Sequence, residues 1–302
     1  MTNDGGMSPE ALAYRNTYVP ETDPIDFTTI KDVRAEAKSG FAEAVDRAIE
    51  RHELELDDVV VGGIECLRIR SRRGGTANGS MLYVFGGAFI VGDPETDIPV
   101  IGALAELCGV EVIAPRYRLA PEHPAPAAGD DCFAVYRTMC ADEDVRLLIA
   151  GESAGGNLAL ATAQAARSAG LRSPAALALL SPAADLRTER ALFGPGVDAD
   201  PSISYQRTLD IASVYPGALG VNDPRVSPIF GSMDGLPPTI LTTGTHDLFL
   251  QMSLRLARKM RRSGIDVGCN VWPGMWHLFE FYDDFPESGE SLAEIAGFLN
   301  NH

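Results

Sequence analysis

From Val59 onward the sequence alternates short apolar runs with longer stretches of helical spacing. Met81–Phe85, Val110–Ala114, Leu147–Ala150, Ala176–Leu180, Thr239–Thr243 and Val267–Trp272 have the length and character of strands buried on both faces. Between and after them, Ile98–Leu107, Ala127–Met139, Ala154–Arg167, Leu250–Arg262 and Ser291–Leu299 read as helices. That alternation predicts an α/β fold, a mostly parallel sheet covered on both faces by helices. Val59–Val61 and Ile64–Ile69 read as two further strands around a Gly62-Gly63 turn. From Ser8 to about Leu56 the pattern is helical and polar-rich, with Phe41, Val45, Ala48 and Ile49 at helical spacing.

One stretch breaks the rhythm. Asp185 to about Asp234 holds several prolines and few strand signals. An insertion of this size is expected to lie over the sheet as a lid. The chain therefore divides into an N-terminal helical segment (1–50), a first core part (51–184), the insertion (185–234) and a second core part (235–302). No repeat, low-complexity tract or linker interrupts it.

At 302 residues the chain can bury roughly 75% of its unfolded surface, so it needs no metal or disulfide staple. Its formal charge of −17 argues against nucleic acid and against anionic membranes, and leaves neutral or apolar small molecules as the expected partners. Five cysteines, widely spaced and without a Cys-x-x-Cys pair, fit reduced thiols in a cytoplasmic protein. The polar start, Met1–Gly6, gives no signal-peptide pattern, and no apolar run approaches the ~18 residues of a membrane span.

The chemistry concentrates at Gly151-Glu152-Ser153-Ala154-Gly155, the chain's one Gly-x-Ser-x-Gly. A strand runs into it and a helix leaves it, which is the setting of a nucleophile elbow. The glycines allow a turn sharp enough to lift Ser153 to a helix N-terminus, where the dipole favours developing negative charge. A serine hydroxyl needs a base. His52 and His123 precede the serine and His302 is terminal, whereas His277 follows the strand Val267–Trp272. Asp247 follows the preceding strand, and the order Ser, acid, His suits this class of site. His246 beside Asp247 is the weaker candidate base.

The elbow and its Gly156-Asn157-Leu158-Ala159 continuation resemble the hormone-sensitive-lipase-like branch of the α/β-hydrolases, as do Tyr117-Arg118-Leu119-Ala120-Pro121-Glu122, Gly274-Met275-Trp276-His277 and Asp223-Pro224-Arg225-Val226-Ser227-Pro228. The resemblance implies an α/β-hydrolase fold with an eight-stranded sheet, and a cap built from the N-terminal helices and the insertion. It implies a carboxylesterase with Ser153, Asp247 and His277 as triad and the N–H groups of Gly87, Ala88 and Ala154 as oxyanion hole. Many members of the branch dimerise, so a homodimer is compatible with it. One departure stands out: Phe85-Gly86-Gly87-Ala88 occupies the place of the branch's His-Gly-Gly segment. Phe85 must hold this loop by packing, because it cannot make the polar contacts of a histidine. Arg116 and His123 are expected to brace the loop after the fourth strand, and Glu152 to be a structural hydrogen-bonding group. The aromatics Trp272, Trp276, Phe279 and Phe281 are candidates for a pocket wall or for plain core.

The leading expectation is hydrolysis of small or medium carboxylic esters or lactones through an acyl-enzyme on Ser153, without cofactor or metal, with activity falling below about pH 6.5 as His277 protonates. The alternatives are amide, formamide or carbamate hydrolysis, a specialised natural-product reaction at the same site, or a small-molecule binding protein.

Overall fold

The computed structural model describes residues 6–75 and 79–302. Three helices, α1 (Pro9–Thr17), α2 (Ile30–Gly40) and α3 (Ala42–Arg51), precede a hairpin of β1 (Leu54–Val61) and β2 (Ile64–Ser71). The alternating part follows as β3 (Ser80–Val84), α4 (Ile98–Cys108), β4 (Glu111–Pro115), α5 (Ala127–Met139), β5 (Leu147–Glu152), α6 (Ser153–Ser168) and β6 (Ala176–Leu180). After α7 (Tyr205–Val214) come β7 (Thr239–Gly244), α8 (Leu250–Arg262), β8 (Val267–Trp272) and α9 (Pro286–Asn300).

Two boundaries differ from the sequence reading. The helical pattern ends at Arg51 rather than near Leu56, because β1 begins at Leu54 and pairs along its whole length with β2. The last helix starts at Pro286 rather than Ser291. Proline suits the first helical turn, where its missing N–H leaves no bond unmade.

The described strands form one eight-stranded sheet in the order β1-β2-β4-β3-β5-β6-β7-β8. The β1–β2 and β2–β4 pairs are antiparallel, and all others are parallel. At the hairpin tip Gly62 and Gly63 both have positive φ (63° and 84°), as a tight two-residue turn matched to strand twist requires. β5 and β6 are buried at every position, so each of their leucines and Ile149 contributes about 1.5–3 kcal/mol by leaving water. The edge strand β8 is only half-buried. This gradient puts the most rigid strands at the centre, where β5 delivers Ser153 at its C-terminal end.

The segment between β6 and β7 and the N-terminal helices meet above the C-terminal ends of the strands. The Ile25 N–H donates to Asp210 (3.2 Å) and Ser204 Oγ to the Glu21 carbonyl (2.6 Å). α1 is tied to the far end of the chain. Ser8 donates from Oγ to Glu287 (3.0 Å), the Tyr14 and Tyr282 hydroxyls are 2.6 Å apart, and the Tyr14 ring stacks on Trp276.

Candidate active site

β5 ends in Glu152 and α6 begins at Ser153 with no intervening loop. A turn this abrupt forces Ser153 to φ +51°, in the left-handed region that costs a non-glycine residue free energy. The turn also demands Gly155: a Cβ there would lie 2.0 Å from the Val84 carbonyl oxygen and 2.3 Å from that of Phe85. The α6 helix is then fixed from its second turn. Buried Asn157 donates from Nδ2 to the carbonyls of Ala183 (2.7 Å) and Val226 (2.9 Å), joining the elbow to both ends of the β6–β7 segment.

The β5–α6 turn and the loops at the C-terminal ends of β7 and β8 bring Ser153, Asp247 and His277 together. Ser153 Oγ lies 2.9 Å from His277 Nε2, and His277 Nδ1 lies 3.2 Å from Asp247 Oδ1. All three are buried. Asp247 Oδ2 accepts from Ser181 Oγ (2.6 Å) and Thr243 Oγ1 (2.7 Å), and Oδ1 from the Phe249 N–H (2.8 Å). Burial alone would raise the Asp247 pKa, but His277 and these hydrogen bonds outweigh it and hold the carboxyl below its usual range. Burial pushes the His277 imidazole down; Asp247, Asp200 and Glu280 outweigh it and leave it above the ordinary imidazole value. The Phe249 ring meets the imidazole edge to face at 4.9 Å.

The loop after β3 carries the other half of the site. Gly87 (φ +88°), Ala88 (+57°) and Phe89 (+62°) turn successively through the left-handed region. Among the described residues the Gly87 and Ala88 N–H groups have no intramolecular acceptor. The Ala154 N–H lies in the first turn of α6, where no carbonyl four residues back is available. Phe85 is buried and stacks on Tyr117, with centroids 4.1 Å apart and planes 12° from parallel. The Tyr117 hydroxyl lies 2.9 Å from the Phe85 carbonyl and 3.1 Å from that of Gly86, and donates to them. The loop is thus held by packing, as Phe85 requires, and by a tyrosine whose polar role the sequence did not reveal. A Cβ on Gly86 would fall 1.9 Å from Glu152 Oε1, so the loop lies directly on that carboxyl.

Glu152 is hydrogen-bonded to Asp97, which also receives the Tyr83 hydroxyl at 3.1 Å. Burial raises both carboxyls, Asp97 to about 7, and a bond between two carboxyls needs one of them protonated. Glu280, whose charge is felt at His277, is likewise pushed up by burial to about 7 and is held by Thr242 and Ser291.

A cleft of about 240 Å³ opens on these groups. Its lining includes Gly86, Gly87, Asp97, Glu152 and His277, together with Tyr18, Ala37, Phe41, Ser202, Phe281 and Tyr282. Of the aromatic candidates only Phe281 reaches the cleft; Trp276 and Phe279 are buried in a cluster with Met7, Ala11 and Phe285 that Trp272 packs against. Arg116 braces its loop through Asp58 and Glu95, as expected. His123 does not: it is exposed, and its neighbour Glu122 receives the Arg34 guanidinium instead. The His246 ring lies beside Thr245 Oγ1, and it is His277 that meets Ser153.

Asp200, Ser181 and Tyr117 were not singled out by the sequence. Asp200-Pro201-Ser202 carries a turn signal, an aspartate accepting from the N–H two residues on (2.8 Å), but nothing in it announces the partner elements.

This architecture has known relatives. A family model for the α/β-hydrolase fold matches residues 81–281. An esterase of Acinetobacter venetianus is 32% identical over 253 residues, covering 82% of each chain. An acetyl-hydrolase of Streptomyces hygroscopicus is 32% identical over 220 residues, covering 72% of this chain and 74% of that one. The crystal structure of an esterase from the bacterial hormone-sensitive lipase family superposes with a TM-score of 0.85 at 27% identity, over 97% of this chain and 98% of that one. The chain belongs to the α/β-hydrolase family, in its hormone-sensitive-lipase-like carboxylesterase branch. It is a carboxylesterase-type hydrolase. Among the described residues no helix is long and apolar enough to cross a membrane.

Proposed function

We propose that the protein hydrolyses small or medium carboxylic esters or lactones through an acyl-enzyme on Ser153. The observation that carries this reading is the continuous chain from Ser153 Oγ to His277 Nε2 (2.9 Å) and from His277 Nδ1 to Asp247 Oδ1 (3.2 Å). His277 takes the Ser153 proton as the hydroxyl oxygen attacks the ester carbonyl, and the tetrahedral oxyanion forms against the N–H groups of Gly87, Ala88 and Ala154. His277 then gives the proton to the leaving alcohol, and water repeats the cycle on the acyl group. Asp247 keeps the imidazole in the tautomer that presents an unprotonated Nε2 to the serine.

Acyl size is argued from the cleft, whose 240 Å³ lies below the usual range for drug-sized ligands and whose lining includes the rings of Tyr18, Phe41, Phe281 and Tyr282. The relatives' descriptions as esterase and acetyl-hydrolase agree with a short acyl group. The N-terminal helices and the 185–234 insertion act as the cap in this reading, since Tyr18, Phe41 and Ser202 line the cleft. A series of 4-nitrophenyl esters from acetate to palmitate, run beside matched anilides, tests it. The expected result is a kcat/KM maximum between acetate and octanoate with anilides far slower. A maximum at palmitate, or anilides cleaved faster than esters, would overturn it.

A further inference from the structure

Asp200 sits in the segment between β6 and β7, far in sequence from the acid and base loops, and is 2% exposed. Its Oδ2 accepts from the Leu248 N–H (2.9 Å), one residue past Asp247, and from the N–H of His277 itself (3.1 Å). Its Oδ1 accepts from the N–H groups of Ser202 (2.8 Å) and Ile203 (3.2 Å) and from Ser202 Oγ (2.9 Å). Ser202 Oγ also lies 3.0 Å from the His277 carbonyl, so both sides of the His277 residue are in reach of this one turn. Asp200 is thus buried with both carboxylate oxygens taken by donors of the protein itself.

We propose that Asp200 is a positioning residue for His277: the Asp200 carboxyl pins the loops that carry Asp247 and His277 to the segment between β6 and β7 and keeps the imidazole aligned. The inference rests on the ester-hydrolase reading of the Ser153 site.

Another use of the same groups is disfavoured by their bonding. Asp200, Asp247 and His277 bring one ligand atom each within 4.8 Å of one another, which is metal-like spacing. Every carboxylate oxygen of the trio, however, already faces N–H or O–H donors, and His277 Nε2 faces Ser153. A cation would have to displace positive donor ends from each oxygen. The bonding suits an anion buried among donors, and an anion fixed there acts on the imidazole beside it. The charged and titratable groups facing His277 are Asp247 from the β7 loop, Asp200 from the insertion and Glu280 from the following turn. Those around Asp200 are Asp247, His277 and, from α1, Tyr14. With Asp200 neutralised, His277 loses one of the carboxyl groups that raise its proton affinity, and that affinity falls.

The test combines two readouts on the full chain. The first is the His277 titration, followed by NMR in protein labelled with ¹⁵N-histidine and assigned with His277→Gln. The second is kcat and KM for 4-nitrophenyl acetate across pH. In Asp200→Asn the His277 titration and the acid limb of kcat/KM should both move to lower pH. Its kcat should fall by about 10- to 100-fold, the cost of a misplaced base, with KM within about twofold. In Asp200→Glu, which keeps the charge at a longer reach, the titration should stay near the wild-type pH while kcat falls. A folded Asp200→Asn protein with wild-type titration and kcat would overturn the proposal. If Asp200→Asn does not fold, the Glu variant decides: a titration near wild type supports the proposal, and one displaced to lower pH overturns it. A wild-type protein inactive on every ester would sink the ester reading, while the His277 titration would still judge Asp200.

Discussion

The two halves of the site are built by opposite means. The loop after β3, with Phe85, Gly86, Gly87 and Ala88, is held by a ring stack, a tyrosine hydroxyl and close backbone approach. The loops after β7 and β8, with Asp247 and His277, are held by hydrogen bonds to two carboxyl groups: Asp247 accepts from Ser181 and Thr243 at neighbouring strand ends, and Asp200 of the β6–β7 segment accepts from the His277 N–H. In the proposed mechanism the first half presents bare N–H groups, so nothing polar may compete for them; packing can fix such a loop without supplying acceptors. The second half, in the same mechanism, carries a charge pair as His277 takes the proton, and buried charge is tolerated only where donors surround it. Each loop is held by the kind of contact its chemistry leaves free. Residues in the left-handed region cluster at both, with Ala88, Phe89, Ser153, Ser181 and Leu278 at positive φ. The strain is concentrated where the chain turns to expose reacting groups.

The comparison can be broken from either side. The largest effect is expected at the charged half. Asp247→Asn keeps the shape but removes the anion that selects the His277 tautomer, and kcat on 4-nitrophenyl acetate should fall about 10⁴-fold. A loss below tenfold would mean that another carboxylate does this work.

Next in size is Gly86→Ala on the packed half. The added Cβ meets the Glu152 carboxyl at 1.9 Å, so the loop or the buried carboxyl it lies on must shift. Steady-state kinetics should show kcat down about 10²–10³-fold, as for the loss of an oxyanion donor. Wild-type kcat would mean the loop does not hold the oxyanion.

Tyr117→Phe keeps the stack on Phe85 and removes the hydroxyl from the Phe85 and Gly86 carbonyls. Chemical denaturation should show a loss of about 1–3 kcal/mol, the cost of unpaired buried acceptors. An unchanged midpoint would mean the stack alone fixes the loop.

The smallest effect separates the halves by pH. His277 stands above the ordinary imidazole value, and the protonated ring cannot accept the Ser153 proton. The acid limb of kcat/KM should therefore lie above pH 6.5, rather than at the unperturbed value taken from the sequence, with activity lost as pH falls through it. A rate flat down to pH 5 would contradict a carboxylate-held imidazole as the base.

The sequence was legible where the chain must bend sharply or repeat regularly. Gly151, Gly155 and Gly86 announced close approach, and the apolar runs announced strands whose ends place Ser153, Asp247 and His277. It was illegible where function depends on partners remote in the chain. Ser181 lies 66 residues from Asp247, and Asp200 lies 77 from His277. Neither sits in a periodic pattern, and each is recognisable only once the loops converge. Tyr117 was visible as part of a motif, but its hydroxyl had no predictable target until Phe85 was seen beneath it. His123 shows the reverse error: a polar residue in a motif was expected to brace the loop, yet Glu122 beside it does so through Arg34.

The central claim is that Ser153, His277 and the loop behind Phe85 form one working nucleophilic site. Labelling with a fluorophosphonate, read by intact mass and peptide mapping with Ser153→Ala as control, tests nucleophile, base and oxyanion loop together without a known substrate. A single adduct on Ser153, absent from the variant, is the predicted result. A folded protein that takes no label, or takes it at another residue, would contradict the account.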